Sequence, residues 1–289
     1  MNSRRCSARP IRTTVKSRKP ERDPVSGFRD LYPGSGPSHH SMRITFVAHA
    51  TVVVEDDGAT ALFDPNYSKR LAYIFNKRKV PLPMRPERLP RPDAILVSHD
   101  HYDHLDGPSI KRYDTHTPVF VPRNLRRVVN LMGRREVRPL EWWQGERMKH
   151  FDVTAVPAFH FSGRPPWFFV RNAYQGYVLQ GSKTVYFAGD TGLNNQFRAI
   201  GERFDVDVAV LPIGAYHPPS FRYHHVSPED ALEAMRRLKA KHLLPVHYGA
   251  FDLSWEPFEE PPVRMAKVAK EAGLEDRVHV VPPGTTIEI

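Results

Sequence analysis

One short segment constrains this chain more than any other. Residues 93–98 (Asp-Ala-Ile-Leu-Val-Ser) are a mostly apolar run preceded by Pro92, a pattern typical of a strand buried on both faces of a sheet. Six imidazole and carboxyl side chains follow within eight residues, from His99 to Asp106. Such groups are costly to bury unless they are paired or bind a metal. The segment therefore predicts a buried sheet with a metal site at its edge.

The spacing of these side chains is typical of metal coordination. Because the strand end fixes the backbone and the loop is tight, His99 and His101 can bind one ion. Asp103 and His104 can then turn towards a second ion a few ångströms away. A solvated surface loop rich in His and Asp is the alternative interpretation, and the position directly after a buried strand argues against it.

Further ligand candidates follow other predicted strands. His160 follows one strand, and His247 closes another. Asp190 also follows a strand, in a Gly-Asp-Thr-Gly turn whose glycines allow a close approach, so its short carboxylate can bridge two ions. Taken singly, the histidines could be hydrogen-bonded core residues and the aspartate a turn former or helix cap. Their joint appearance at strand ends favours the metal interpretation.

The rest of the sequence alternates short strands with helices. Strands are predicted at 43–47, 51–55, 61–63, 93–98, 153–157, 176–179, 184–188, 206–212, 243–247, 278–281 and 285–289. Helices are predicted at 124–132, 196–204, 228–240 and 263–272. Asp-Asp-Gly at 56–58 indicates a hairpin, 76–92 a proline-rich loop, and Ser227 and Pro228 the start of a helix. This alternation implies a layered α/β sandwich.

The N-terminal residues differ in composition from the rest. Residues 1–40 hold nine Lys/Arg against three Asp/Glu and so carry +6 of the net charge of +10. Charge, Ser, Pro and Gly without apolar periodicity predict a disordered basic arm over 1–41. The remaining residues of this 289-residue chain suffice for one folded domain, 42–289. Because Cys6 is the only cysteine, that domain has no disulfide and no thiolate metal ligand.

The sequence predicts a protein without membrane spans. No apolar run approaches the roughly 20 residues that cross a bilayer, and no apolar segment follows the basic N-terminus. A cytoplasmic protein is therefore expected. Residues 1–19 are Arg/Ser-rich and acid-free, so an organelle transit peptide is the alternative, although Pro10 and Pro20 weaken the amphipathic helix it needs.

The combined motif of His-x-His-x-Asp-His, a lone His, Gly-Asp-Thr-Gly and a late His resembles the metallo-β-lactamase superfamily. Further segments resemble the branch that contains N-acylphosphatidylethanolamine-hydrolysing phospholipase D and its bacterial relatives, over roughly residues 43–285. These segments are 48–52, 63–65, 141–143, 212–216, 225–231, 246–251 and 260–262. The resemblance implies an α/β fold of the metallo-β-lactamase type, an αββα four-layer sandwich.

The resemblance also implies seven side chains as ligands of two divalent ions. They are His99, His101 and His160 at the first ion, Asp103, His104 and His247 at the second, and Asp190 bridging both. Because Asp190 would hold both ions, it is also a candidate catalytic residue. A water or hydroxide between the ions would attack the substrate, so no protein nucleophile is needed. Zinc is usual in this family, Mn²⁺ or Fe occur in relatives, and a His/Asp set does not distinguish them.

Other residues around these ligands receive supporting roles. His225 matches a family position near the site and is a candidate for substrate contact or proton transfer; alternatively, it only helps to start the next helix. Tyr102 lies between ligands and either faces the substrate or packs. Asp100, Asp106 and His49 are expected behind the ligands, where they hold imidazole N–H groups.

The resemblance implies a phosphodiesterase of phospholipase D type, acting on N-acylphosphatidylethanolamine-like or other small phosphodiesters. Residues 161–169 and His224 depart from the phospholipase pattern. Because such loops shape the mouth of a site, hydrolysis of a lactone, ester or amide stays open. Within the departing loop, Trp167, Phe168 and Phe169 are expected either as an apolar lip for an acyl chain or as core packing.

The net positive charge favours anionic partners. Peripheral contact with an anionic membrane is one option. Nucleic-acid processing or binding through the basic arm is an alternative from a different class, but the body of the chain lacks the interleaved basic and aromatic positions of a recognisable nucleic-acid module. The sequence predicts no oligomeric state.

Overall fold

The computed structural model describes residues 41–164 and 170–289. Within them the strands are β1 Arg43–Ala48, β2 Thr51–Asp56, β3 Ala59–Phe63, β4 Ala94–Leu96, β5 Val119–Pro122, β6 Val137–Leu140, β7 Gly145–Met148, β8 Phe151–Val156, β9 Gly176–Gln180, β10 Thr184–Phe187, β11 Val208–Pro212, β12 His242–Val246 and β13 Thr285–Glu288. The α-helices are α1 Gly107–Ile110, α2 Arg126–Leu131, α3 Gln196–Arg203, α4 Pro228–Leu238 and α5 Glu260–Glu271. None of these helices is long and apolar enough to cross a membrane.

The strands in this part of the chain form two mixed sheets. The first has the order β13-β1-β2-β3-β4-β5-β6, and the second has the order β12-β11-β10-β9-β8-β7. Strands β1 to β3 form an antiparallel meander with the predicted hairpin turn between β2 and β3, whereas β3 to β6 run parallel. In the second sheet β10, β11 and β12 are parallel. The carboxyl ends of parallel strands meet at one edge of each sheet.

The order of the layers follows from the opposite directions of neighbouring side chains on β3 and on β10. Phe63 of β3 stacks on Phe187 of β10 with ring centroids 4.7 Å apart, so the two sheets face each other. Leu62 points the other way, into a core shared with α1 and α2. Tyr186 likewise points outward and contacts Phe197 of α3 at 6.2 Å. The result is helix, sheet, sheet, helix, which confirms the predicted αββα sandwich.

Helix α4 begins as predicted. The Ser227 side chain accepts a hydrogen bond from the Asp230 N–H, and the Asp230 carboxylate accepts one from the Ser227 N–H, which completes a capping box. Pro228 occupies the first helical position. Helix α5 begins three residues earlier than predicted, since Pro261 and Pro262 occupy its first turn, where no intrahelical N–H bond is required.

Some predicted elements were wrong or missed. The predicted strand at 278–281 makes only an isolated bridge, from Val278 to Leu243, within the described residues; the prolines at 282–283 end any further pairing. Strands β5, β6 and β7 were missed, and the 76–92 loop includes a short 3-10 turn at Pro86–Arg88. The predicted arm, apart from Ser41, and the aromatic lip at 167–169 lie outside the described residues.

Candidate metal centre

The candidate ligands and the two buried side chains that orient them, His49 and Asp64, lie in loops that leave the carboxyl ends of strands. In such α/β sheets this edge is where ligands bind, because loops from several strands converge there. The positions are His49 after β1, Asp64 after β3, the 99–106 loop after β4, His160 after β8, Asp190 after β10 and His247 after β12. Both sheets therefore supply side chains to one site.

Several of these loops leave their strands in a left-handed backbone conformation. The φ angles of His49, Asp64 and His247 are 57°, 40° and 66°, a region that residues other than glycine occupy only where the surrounding structure enforces it. Gly189 has a φ of 61°, and a Cβ there would lie 2.5 Å from Cβ of Ser98. Only glycine allows the Gly-Asp-Thr-Gly turn to approach the metal loop so closely.

The structure brings together the first predicted donor group and the predicted bridge, which are His99, His101, His160 and Asp190. Each offers one donor atom, and these atoms all lie within 4.8 Å of one another. His160 Nε2 is 3.2 Å from His101 Nδ1, and His99 Nε2 is 3.9 Å from Asp190 Oδ2. Nitrogen and oxygen donors at such separations can share one cation.

The second predicted group, Asp103, His104 and His247, lies beside the first. Nε2 of His104 and Nε2 of His247 are 3.3 and 3.2 Å from Asp103 Oδ2. The same two nitrogens are 3.3 and 3.2 Å from Asp190 Oδ2. Asp190 therefore reaches both groups, as a bridging carboxylate must.

Orphaned donor atoms show that these side chains fit divalent cations. Among the described residues, His99 Nε2, His104 Nε2 and Asp190 Oδ1 are buried without a hydrogen-bond partner, which is costly for a polar atom that binds nothing. Burial also lowers the pKa of His99 and of His160, so both imidazoles are neutral, the form that binds a metal. Imidazole nitrogens with carboxylate oxygens suit zinc, manganese or iron.

The charges of the four innermost groups compensate one another. Burial alone would raise the pKa of Asp190, but His247 and His104 outweigh it and hold that pKa well below its usual range. Asp103 behaves in the same way, again mainly through His104. Burial would lower the pKa of His247, but Asp190 and Asp103 raise it to about 9. A cation bound here displaces protons from these imidazoles.

Asp64 is a functional residue that the sequence analysis did not assign. It is fully buried, and its Oδ2 lies 2.7 Å from Nδ1 of His104. The Ser98 hydroxyl and N–H donate to the same carboxylate at 2.5 and 2.7 Å, and that hydroxyl lies 2.9 Å from Nδ1 of His99. Asp64 thus orients ligands of both donor groups. Its position directly after a strand was the available signal.

The residues expected behind the ligands have different partners. His49 lies 2.8 Å from Asp103 Oδ2 and so holds a carboxylate rather than an imidazole. Asp100 accepts hydrogen bonds from the Gly163 N–H, and Asp106 caps α1. Among the described residues neither aspartate accepts a hydrogen bond from an imidazole, which corrects that expectation. Both aspartates instead fix the ends of the metal loop.

His225 lies at the site and also near the start of α4. Its Nδ1 is buried, lacks a hydrogen-bond partner among the described residues, and lies 3.7 Å from Asp190 Oδ2. Its ring centroid is 5.0 Å from that of His160. Burial lowers the pKa of His225 to about 4, so the ring is neutral near pH 7.

Tyr102 lies half-buried between two candidate ligands. The guanidinium of Arg164 stacks over its ring, with Cζ 4.2 Å from the centroid. Its carbonyl oxygen accepts a hydrogen bond from the Asn66 side chain at 3.0 Å. These contacts show packing, while the partial exposure leaves the predicted substrate-facing role as a prediction.

The family described as Beta-lactamase superfamily domain matches residues 60–248, which include every candidate ligand. The chain belongs to the β-lactamase superfamily. Within it, the chain has the metallo-β-lactamase fold and resembles the predicted phospholipase branch. A metallo hydrolase from Ignicoccus hospitalis superposes with a TM-score of 0.66 over 86% of this chain and 99% of that one, at 23% identity.

Two proteins of similar sequence show which members of the superfamily this chain resembles. It is 33% identical over 244 residues to the N-acyl-phosphatidylethanolamine-hydrolyzing phospholipase D, mitochondrial, of Saccharomyces cerevisiae, covering 80% of this chain and 52% of the yeast protein. The chain thus spans about half the length of that relative. It is 32% identical over 253 residues to a UPF0173 metal-dependent hydrolase of an Exiguobacterium species, covering 86% of this chain and all of the relative. Both relatives are named for hydrolysis, and the name of the second states dependence on a metal.

Proposed function

We propose that this chain is a metal-dependent hydrolase, and more closely a phosphodiesterase of phospholipase D type that uses two divalent cations, with Zn²⁺ as the first candidate. Its substrates are N-acylphosphatidylethanolamine-like lipids or related small phosphodiesters. The observation that carries the proposal is the identity of 32–33% with two relatives, from yeast and Caenorhabditis elegans, whose names state this activity. A carboxylate shared by two donor groups supports the use of two cations.

The chain has the side chains to hold both cations. They are His99, His101 and His160 at one, Asp103, His104 and His247 at the other, and Asp190 between them. When bound, two such cations supply Lewis acidity that eases deprotonation of a water and neutralises charge on phosphoryl oxygens. Asp64 and His49 keep the inner side chains in these orientations.

His225 is the candidate for proton transfer. Its ring is neutral near pH 7, because burial lowers its pKa to about 4. A neutral imidazole can take up a proton from water or hold a substrate oxygen by a hydrogen bond. Its Nδ1 lies 3.7 Å from Asp190 Oδ2, close enough to the donor groups for either role.

The charge next to the site favours an anionic substrate over a neutral lactone. Residues 66–86 contain six Lys/Arg and no Asp/Glu. This segment contacts the metal loop through the Asn66 side chain, which donates to the Tyr102 carbonyl. Five of these six cations are exposed, and an excess of positive surface charge raises the local concentration of phosphodiesters but not that of uncharged esters.

The test is a substrate panel with purified, zinc-loaded protein. We expect N-acylphosphatidylethanolamine to yield phosphatidic acid and an N-acylethanolamine, and bis-p-nitrophenyl phosphate to be cleaved as the soluble reference. Chelation should abolish both reactions. Turnover of lactones, esters or amides without cleavage of any phosphodiester would replace this proposal with the alternative hydrolase activity on the same site.

A further inference from the structure

A short hairpin projects beside the metal centre. In residues 69–78, Arg70 and Lys77 form an antiparallel bridge, and the Arg78 N–H donates to the Lys69 carbonyl at 2.9 Å. Ile74 and Phe75 lie at the tip and are 70% and 50% exposed. Contiguous exposed apolar surface is a feature of docking sites, and these two neighbouring side chains provide it at the tip.

The hairpin is anchored rigidly at its base. Arg78 is buried; its Nε donates to the Ser68 carbonyl at 3.0 Å, and its Nη2 donates to the Asn66 carbonyl at 2.9 Å. The guanidinium also lies over the Phe251 ring, 4.5 Å from the centroid. The tip is therefore held in a defined position relative to the rest of the domain.

The same anchor connects the hairpin to the metal centre. Phe251 meets the His49 ring edge-on at 5.4 Å. On the outer side, the Asn76 side chain donates to the Asp252 carbonyl at 3.1 Å. Three residues further along the chain, Trp255 is 81% exposed. The apolar tip and this tryptophan thus lie on adjoining loops, which Phe251 connects to the metal centre.

The charges around the tip identify the partner. Lys69, Arg70 and Lys77 flank it and are exposed, in a segment without acidic residues over 66–86. An apolar tip with cations on both sides matches the interface of an anionic bilayer, where side chains enter the acyl region and ammonium and guanidinium groups meet lipid phosphates.

We propose that the 69–78 hairpin docks this protein on an anionic phospholipid bilayer, which brings the adjoining metal centre close to the lipid surface. The meaning of this docking surface rests on the proposed phosphodiesterase function, because a lipid substrate is met at a bilayer. Binding to vesicles requires no turnover and is measured separately.

The experiment is co-sedimentation of the full-length protein with vesicles of phosphatidylcholine plus phosphatidylserine, compared with phosphatidylcholine alone. We expect binding to the anionic vesicles and at least about tenfold weaker binding by the double variant Ile74→Ser/Phe75→Ser, which removes two apolar side chains from the interface. Neutralisation in Lys69→Gln/Arg70→Gln/Lys77→Gln should remove the preference for anionic vesicles.

Matched controls carry the same kind of substitution elsewhere. Leu131 on α2 and Val263 on α5 are 72% and 68% exposed, and Leu131→Ser and Val263→Ser should bind vesicles like the unsubstituted protein. Cleavage of bis-p-nitrophenyl phosphate should stay unchanged in the Ile74→Ser/Phe75→Ser variant, which shows that the site is intact.

Two results would overturn the docking surface. The first is that the unsubstituted protein fails to sediment with anionic vesicles, whether or not it binds DNA. The other is that the Ile74→Ser/Phe75→Ser variant binds as well as the unsubstituted protein; binding by the basic arm alone would give this result, since every variant keeps residues 1–40. If vesicle binding follows the expected pattern but no phosphodiester is cleaved, the proposed function fails and the docking surface stands.

Discussion

Asp190 lies within 4.0 Å of imidazole nitrogens from both donor groups. Asp190→Ala should leave a folded protein with less bound metal and lower phosphodiester hydrolysis by at least about a thousandfold, since the Lewis acidity of paired cations accounts for several kcal/mol of catalysis. His101→Ala should behave similarly. Elemental analysis and hydrolysis of bis-p-nitrophenyl phosphate measure the two effects, with circular dichroism as the check on folding.

The control for these variants is Asp205→Asn, an exposed carboxylate paired with Lys241. It should keep full metal content and activity. Full activity in either Asp190→Ala or His101→Ala would contradict the assignment of these side chains to the metal centre.

A second prediction for a single residue concerns Asp64, which orients ligands but is not itself one of the seven candidate ligands. Asp64→Asn preserves shape and tolerates the left-handed backbone, but its amide is a weaker partner for His104 Nδ1. We expect cation affinity to fall about 10- to 100-fold. Competition with a chromogenic chelator measures this affinity, and an unchanged affinity would show that the contact with His104 is incidental.

The seven candidate ligands were predictable from the sequence because they share one pattern, a His or Asp in the loop that follows a run that forms a strand. Asp64 shares that pattern but precedes Pro65, and an Asp-Pro pair is also typical of a turn. The partner of Asp100 was not predictable, since it depends on a contact between loops that are distant in sequence, that of Gly163 with Asp100. The cap that Asp106 forms with the Ser109 N–H is local and could have been read from the sequence.

At the scale of single elements, the start of α4 depends on its capping box. Ser227→Ala removes one partner of the box, and we expect the free energy of unfolding to fall by about 1 kcal/mol. Urea unfolding measures the change, with Ser220→Ala, at an exposed position in a short 3-10 turn, as the control. An unchanged midpoint would mean that the Asp230 and Arg222 pair alone fixes this helix end.

Two of the three missed strands, β6 and β7, lack the signals that identified the others, whereas β5 has a continuous buried apolar run that could have been recognised. Strand β6 contains Pro139, which normally argues against a strand, but β6 is the last strand of its sheet and tolerates a missing N–H. Strand β7, Gly145–Met148, is mostly polar and solvent-exposed at the opposite sheet's edge. Central strands such as β4 were found because burial on both faces requires a continuous apolar run.

At the scale of the whole molecule, the basic arm and the folded domain should be separable in function. The domain carries all candidate ligands, and residues 1–40 carry +6 of the net charge. We expect deletion of residues 1–40 to leave the cleavage of bis-p-nitrophenyl phosphate within about twofold, because a solvated tail adds little to a transition state. Loss of all activity on this soluble substrate would show that the arm belongs to the site.

The donor groups come from both sheets, so a bound cation should stabilise the whole domain. Asp103 and His104 follow β4 of the first sheet, whereas His160, Asp190 and His247 follow strands of the second. A cation that both donor groups bind stabilises the native state, because the unfolded chain does not bind it. At a free metal concentration of a hundred times Kd, the free energy of unfolding rises by about 2.7 kcal/mol. For a domain of this size that corresponds to a rise in Tm of roughly 5–10 °C.

We therefore expect chelation to lower Tm by that amount and added Zn²⁺ to restore it, measured by calorimetry at fixed pH. The Asp190→Ala variant is the matched control, since its donor groups no longer share a carboxylate, and its Tm should respond much less to the chelator. Equal Tm values for chelated and zinc-loaded protein would mean that the two sheets are held in place by their apolar core alone, and that the metal centre has no part in stability.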